Sequence, residues 1–442
     1  MRKSFCSIIA LIVSIAAYAL PMDQVIKCEG SHEVDGRTDT LFFFADEIHV
    51  HSKIGAADLY STETGAPVQQ GLQDFYPDEG GYYLVKGGVE YSPFYVFRCR
   101  TSALQMTIEA NCDNTILRFA GEVNPYSYIR RNGTRGTYKR NCSVEYTALA
   151  WNGEQWSDSA VQTTVTLAEA VRLPAMYAAT PIKICYDADI REALGLAPAC
   201  LTEDLAADDV KAVSMLLTSL AVARGTEGED SNELNRPKQQ DIITATTTEK
   251  YSAALEVAFY ANPTPAALFY RWTIYKASEV IATRNDIDIR YSFAEPGSYR
   301  VVCAVNNHEC ATDSMEMLVH ISDSYLKVPN FFTPGGSCPN AEFRVAYRSL
   351  REFHCWVYNR WGKLVFEWSD PAKGWDGTIN GRPAADGAYF YVIRALGTDA
   401  AKDAGYIGLK AKYKKNVTIK NGHSSNGVYQ LSGDINLIRC RK

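Results

Sequence analysis

Residues 357–366 read Val-Tyr-Asn-Arg-Trp-Gly-Lys-Leu-Val-Phe, and residues 374–378 read Gly-Trp-Asp-Gly-Thr. An apolar and aromatic run stops at Asn359, turns through Gly362, and resumes at Leu364. This is strand, tight turn, strand. Asn359 and Asp376 are the residue types whose side chains satisfy turn amides. The glycines beside them suit positive φ. Tyr358, Trp361, Val365, Phe366 and Trp375 are large groups next to these turns, and they are expected to build the core of a small β-sandwich. A further turn follows at Asn380-Gly381-Arg382-Pro383, then an aromatic strand at Asp386-Gly387-Ala388-Tyr389-Phe390-Tyr391-Val392-Ile393. Nothing in this stretch has the look of catalytic machinery.

Upstream, Val328-Pro329-Asn330-Phe331-Phe332-Thr333-Pro334 opens the region. In order and spacing these blocks resemble the gliding motility-associated C-terminal domain, the type B sorting domain of the Bacteroidetes type IX secretion system. The resemblance implies a small sandwich that engages outer-membrane components of that system, a translocon or shuttle protein. It points to Tyr358, Asn359, Arg360, Trp361, Trp375 and Asp376 as partner-binding candidates, read through strand edges and exposed side chains rather than a pocket. The chain departs from the family in two places. Gly335-Gly336-Ser337-Cys338-Pro339-Asn340 replaces an acidic loop and carries no carboxylate, so no calcium site is expected there. The closing strand, Gly433 to Arg439, comes after an insertion containing Lys410, Lys412 and Lys414. These lysines suit a charged edge strand that resists aggregation, or a basic contact for a translocon subunit or anionic lipopolysaccharide.

The other end of the chain supplies the compartment. Met1-Arg2-Lys3, an apolar run from Cys6 to Ala16, and Ala17-Tyr18-Ala19 form the three parts of a secretory signal, with cleavage expected after Ala19. No later stretch reaches transmembrane length. The protein is therefore expected to be exported, to the cell surface, the medium, or the periplasmic face of the outer membrane.

Between the two ends, short alternating strands are separated by Gly-rich turns. The expected fold class is all-β: tandem immunoglobulin-like β-sandwiches with a short helical insert. The expected organisation is a signal peptide at 1–19, an immunoglobulin-like sandwich at 20–101 and a second at 102–180. A helical segment with a polar linker is expected at 181–240. A sandwich at 241–323 and the sorting-like domain at 324–442 complete it. The helical reading rests on Asp187 to Leu196 and on the apolar spacing of Glu203 to Arg224. Residues 241–323 resemble polycystic-kidney-disease-type domains through Trp272 and Tyr291-Ser292-Phe293-Ala294-Glu295-Pro296-Gly297-Ser298-Tyr299-Arg300-Val301. They lack that family's acidic Gly-rich turn after the Trp.

An exported chain uses its cysteines for disulfides. There are 12 cysteines, and Cys6 lies in the signal, so an odd number remains. The module reading pairs Cys28 with Cys99, Cys112 with Cys142, Cys185 with Cys200, and Cys303 with Cys310. Cys99–Cys112 is a rival. Cys338, Cys355 and Cys440 then share the C-terminal domain with one thiol over, and Cys440 is the candidate for a covalent link to a partner.

The remaining signals exclude more than they assert. The formal net charge of -6 offers no field for nucleic acid. No Gly-x-Ser-x-Gly, phosphate-binding loop or dinucleotide fingerprint is present. His49 and His51 share one side of a strand but read as solvent-facing residues rather than zinc ligands. His354 and Cys355 fall on opposite strand faces and make no nucleophile–base pair. The expectation is a non-enzymatic exported protein without a cofactor, acting through protein contacts as cargo or accessory part of the type IX secretion pathway. The alternative is a surface adhesin whose N-terminal sandwiches bind glycan or host protein.

Overall fold

The computed structural model describes residues 21–28, 31–35, 39–100, 103–222, 231–238, 241–312, 314–335, 340–401 and 428–439. The signal segment 1–19, Cys338, Cys440 and Lys410, Lys412 and Lys414 lie outside the described residues. The chain forms two compact units, Met1–Ala212 and Val213–Lys442. Both are built of strands, and the α-helices described are the short Met22–Val25 and Ala188–Ala193.

In the first unit, Thr40–Phe44 pairs in parallel with Phe94–Arg98 inside a sheet that also holds Gly80–Lys86 and Ala57–Ser61. Leu41, Phe42, Phe43 and Phe44 are all buried. A strand buried on every residue needs cover on both faces. Phe42, Phe44, Phe94 and Val96 pack into one core. Leu41, Phe43, Tyr95 and Phe97 pack into another with Tyr126, Tyr128 and Ile190, which come from the following sandwich. The hairpin Tyr126–Ile129/Arg135–Tyr138 supplies those tyrosines. Gly136 lies so close beneath the Tyr128 ring that a Cβ there would collide with it.

The second sandwich sets Gln105–Ala110, Asn114–Ala120 and Ala170–Pro174 against a sheet of four strands: β1 (Asn141–Trp151), β2 (Trp156–Thr166), β3 (Thr180–Tyr186) and β4 (Ala199–Leu205), in the order β2-β1-β3-β4. The helical reading of 181–240 is corrected here. β3 and β4 are sandwich strands, Thr218–Ala221 is a strand of the next sandwich, and among the described residues of this span the α-helix is confined to Ala188–Ala193. The apolar spacing of Glu203 to Arg224 misled because its residues serve two cores. Leu205 packs in the second sandwich, whereas Val213, Met215 and Ala221 pack in the third.

In the second unit, Thr218–Ala221, Leu255–Tyr260 and Asp288–Phe293 face a five-stranded sheet that contains Phe269–Lys276 and Gly297–Asn306. Trp272 is fully buried at its centre, and its Nε1–H donates to the Asp286 carbonyl at 3.0 Å. The last sandwich is built on Phe331–Phe332 and four longer strands: β5 (Leu350–Tyr358), β6 (Leu364–Trp368), β7 (Gly387–Gly397) and β8 (Val428–Leu437). Their order is Phe331–Phe332, β8, β7, β5, β6. Phe332, Phe343, Val357, Trp375 and Ile393 fill its core.

The cysteines pair differently from the module reading, with one exception. Cys185 and Cys200 form a disulfide directly across β3 and β4. Cys112 and Cys310 each take part in a disulfide as well. Cys99, Cys142, Cys303 and Cys355 are buried thiols, so the pairs Cys28–Cys99, Cys112–Cys142, Cys303–Cys310 and Cys99–Cys112 are not formed. The reasons are geometric. Cys28 packs on one core of the first unit and Cys99 in the other. Cys112 is exposed in the turn after Gln105–Ala110, whereas Cys142 faces the sandwich core. Asn306 bridges Ala311, which places Cys310 across from Asn307. Four residues of strand, roughly 13 Å, then separate it from Cys303.

Candidate partner-binding site

β5 and β6 are joined by the turn Asn359–Lys363, and its hydrogen bonds define it closely. Asn359 N–H donates to the Lys363 carbonyl at 2.9 Å, and Gly362 N–H to the Asn359 carbonyl at 3.0 Å. Asn359 Oδ1 accepts from the amides of Trp361 and Lys363, both at 3.0 Å. Gly362 sits at φ +78°, where a side chain would be strained. The expected role of Asn359 as a turn-maker holds. Trp361, in contrast, is not a core residue. Its side chain is 76% exposed, with the Arg360 guanidinium 4.5 Å from the ring centroid. It occupies the tip of the turn, beyond the reach of either sandwich face.

Trp375 is the opposite case. It is fully buried against Phe332 and Tyr389, and its Nε1–H donates to the Thr378 carbonyl at 2.7 Å. Asp376 Oδ1 accepts from the Thr378 amide at 2.9 Å and its hydroxyl at 2.8 Å. Gly377 is at φ +78°, and a Cβ there would come within 2.8 Å of Pro334. Trp375 and Asp376 thus hold a loop in place. Trp375 has no surface to offer a partner.

Tyr358 is half-buried and lies across from Leu364 on one side and Phe390 on the other. Two residues back, Trp356 faces Val392, and His354 faces Arg394. The His354 and Trp356 rings stack at 4.0 Å, and His354 Nε2 lies 3.3 Å from Glu367 Oε2. The outer face of this sheet therefore carries an aromatic row that leads to Trp361. Sequence reading missed His354, Trp356, Leu364 and Phe390. The alternation of 350–358 was the available signal, since it sends 354, 356 and 358 to one side and buries 353, 355 and 357. His354 and Cys355 do fall on opposite faces. Burial pushes the Cys355 thiol upward, away from a reactive thiolate.

His49 and His51 find a partner that their own segment did not reveal. Both imidazoles meet Asp74 Oδ1, at 3.0 Å and 2.7 Å, from the neighbouring strand. These contacts hold the Asp74 carboxyl below its ordinary range. Among the described residues no group of three or more His, Cys, Asp or Glu is arranged to hold a metal ion. No described helix is long and apolar enough to cross a membrane.

Residues 326–409 match the family described as the CHU_C type IX secretion signal domain. The C-terminal sandwich is a type IX secretion signal domain. Residues 105–196 match the fibronectin type III domain, which corresponds to the second sandwich up to the residues before β4. No curated protein matches the chain. Similar solved structures include the FN1–FN3 domains of chicken CNTN1, at 10% identity over 66% of this chain and 92% of that one, with a TM-score of 0.23. Dimeric latent PorU from Porphyromonas gingivalis is another, at 9% identity over 79% of this chain and 36% of that one, with a TM-score of 0.16. The secretion signal domain marks the chain as cargo of the type IX secretion system, recognised by components of that system and exported to the cell surface or released. Secretion signal and fibronectin type III domains are non-catalytic kinds.

Proposed function

We propose that this protein is a non-enzymatic cargo of the type IX pathway, and that its signal domain is read at the Arg360–Trp361 turn and the adjoining aromatic face. The observation that carries the reading is the placement of Trp361. A large indole stands in solvent on a turn whose backbone is held by four hydrogen bonds. Exposed aromatic surface on a preorganised support is what interface anchors are made of. Arg360 adds a cation beside the ring, and Tyr358, Leu364 and Phe390 extend the surface along the sheet. Asn359, Gly362, Trp375 and Asp376 act one step back, by positioning. Replacing Arg360 and Trp361 with Ala tests this in cells that secrete the full chain. The expected result is a folded protein that accumulates inside the outer membrane. Export at the wild-type level would sink the reading.

A further inference from the structure

In the first unit, β2 is an edge strand of the sheet β2-β1-β3-β4. It pairs with β1 over its whole length, from Trp156 opposite Trp151 to Thr166 opposite Asn141, without a shift in register. Its other edge meets no strand of this unit among the described residues. In an antiparallel pair, alternate residues direct their N–H and C=O groups away from the partner. The outer side of β2 therefore presents a long row of such groups. β3 joins β1 only at Cys142–Glu145, so beyond Glu145 the β1–β2 hairpin runs on as the two-stranded part of this sheet.

Edges of this kind are ordinarily blunted with lysine, proline or a bulge. The other described edge strands of the unit are shorter, at seven residues or fewer, and several are blunted as well. Pro67–Leu72 opens with proline and shifts register twice against Ala57–Ser61. Ala170–Pro174 closes with proline, and β4 carries Glu203 and Asp204 side by side. β2 reads Trp-Ser-Asp-Ser-Ala-Val-Gln-Thr-Thr-Val-Thr. It has no lysine, no proline, no bulge and one charge, Asp158.

We propose that β2 is a self-association edge, pairing antiparallel with β2 of a second copy about a two-fold axis at Val161. Charge and side-chain chemistry select this occupant. The two-fold places Asp158 opposite Thr164 and Ser159 opposite Thr163, so no carboxylate faces its copy, and hydroxyl side chains meet as cross-strand pairs. Identical patches meeting about a two-fold are the common form of closed dimer. The pairing joins two four-stranded sheets into one continuous sheet and satisfies the open row of backbone groups on both.

Sedimentation velocity of the full exported chain at micromolar concentration tests the proposal, together with hydrogen exchange at several dilutions. The expected result is a dimer with concentration-dependent protection confined to alternate amides of Trp156–Thr166. Thr164→Asp, on the exposed side of β2, should weaken the dimer by about tenfold or more, because it sets a carboxylate opposite Asp158 of the second copy, and like charges opposite each other on paired strands repel. Ala160→Asp with Gln162→Asp, which face each other across the same two-fold, serves as the second variant if the first disturbs folding. A wild-type chain that stays monomeric overturns the proposal. A dimer that both variants leave intact also overturns it. So does a monomer whose β2 amides gain protection only from an extended peptide of another protein.

Discussion

Arg140 and Asp187 form an ion pair in which both side chains are only 1% exposed. Arg140 donates from Nε at 2.9 Å and from Nη2 at 2.6 Å to Asp187 Oδ2, and from Nη1 to the Glu122 carbonyl. Asp187 adopts a left-handed φ of +50° at the head of the helix Ala188–Ala193. That helix delivers Ile190 to the core shared by the first two sandwiches. The pair therefore decides how one sandwich is fastened to the next.

Arg140→Ala should cost about 3–5 kcal/mol, because it strands a buried carboxylate. Urea unfolding of the N-terminal unit measures this. A loss below about 1 kcal/mol would show that the pair is not buried as described.

The two tryptophans of the signal domain separate positioning from contact. Trp375→Ala empties a core site and should cost about 3–5 kcal/mol. Trp361→Ala should change stability by no more than about 0.5 kcal/mol, as for other surface substitutions, while reducing export. Thermal unfolding beside a secretion assay reads both.

Burial pushes the Cys142 thiol up to about 11 and the Cys303 thiol up to about 12. An unfolded thiol ionises near 8.5. Below that pH the raised values contribute their full stability. Above it the unfolded chain gives up protons that the folded chain keeps, so stability falls as pH rises toward the folded values. Denaturant midpoints should therefore decline from pH 8 toward pH 10, and alkylation of the native chain at pH 8 should spare both residues. Fast labelling of either would contradict their burial.

Ser349 ties together the two sandwiches of the second unit. Its hydroxyl donates to the Ser322 carbonyl at 2.7 Å and accepts from the Ala253 amide at 3.0 Å, and its amide donates to Ser252 Oγ at 2.9 Å. Ser322, Ser324 and Leu326 are buried at the same junction. Ser349→Ala should cost about 1–3 kcal/mol by leaving buried polar groups unmade. Limited proteolysis of the intact protein should spare residues 322–326. Rapid cleavage there would argue against this fastening.

The Cys185–Cys200 bridge spans 15 residues of sequence. Reducing it should lower stability by about 3 kcal/mol through the freed unfolded chain. Unfolding with and without reductant tests this, and coincident curves would refute it.

Local chemistry was legible wherever it acted over a few residues. The turns at Asn359–Gly362 and Asp376–Gly377, the alternation that separates His354 from Cys355, and the all-β class all follow from side-chain period and turn chemistry. The resemblance of the C-terminal blocks was carried by the same short-range features. What the tertiary structure decided were the questions of which face and which partner. Trp361 and Trp375 look alike in sequence, yet one stands in solvent and the other fills a core, because only the packed sandwich distinguishes the tip of a turn from the space beneath it. Leu41 to Phe44 became an all-buried strand because a distant hairpin covers its second face. His49 and His51 found Asp74, and Arg140 found Asp187, across separations of 23 residues or more. Three of the expected cysteine pairs failed because shared membership of a module does not bring two sulfurs together. Sequence sets the period and the turns. Packing sets the faces, and only faces in place decide burial, pairing and exposure.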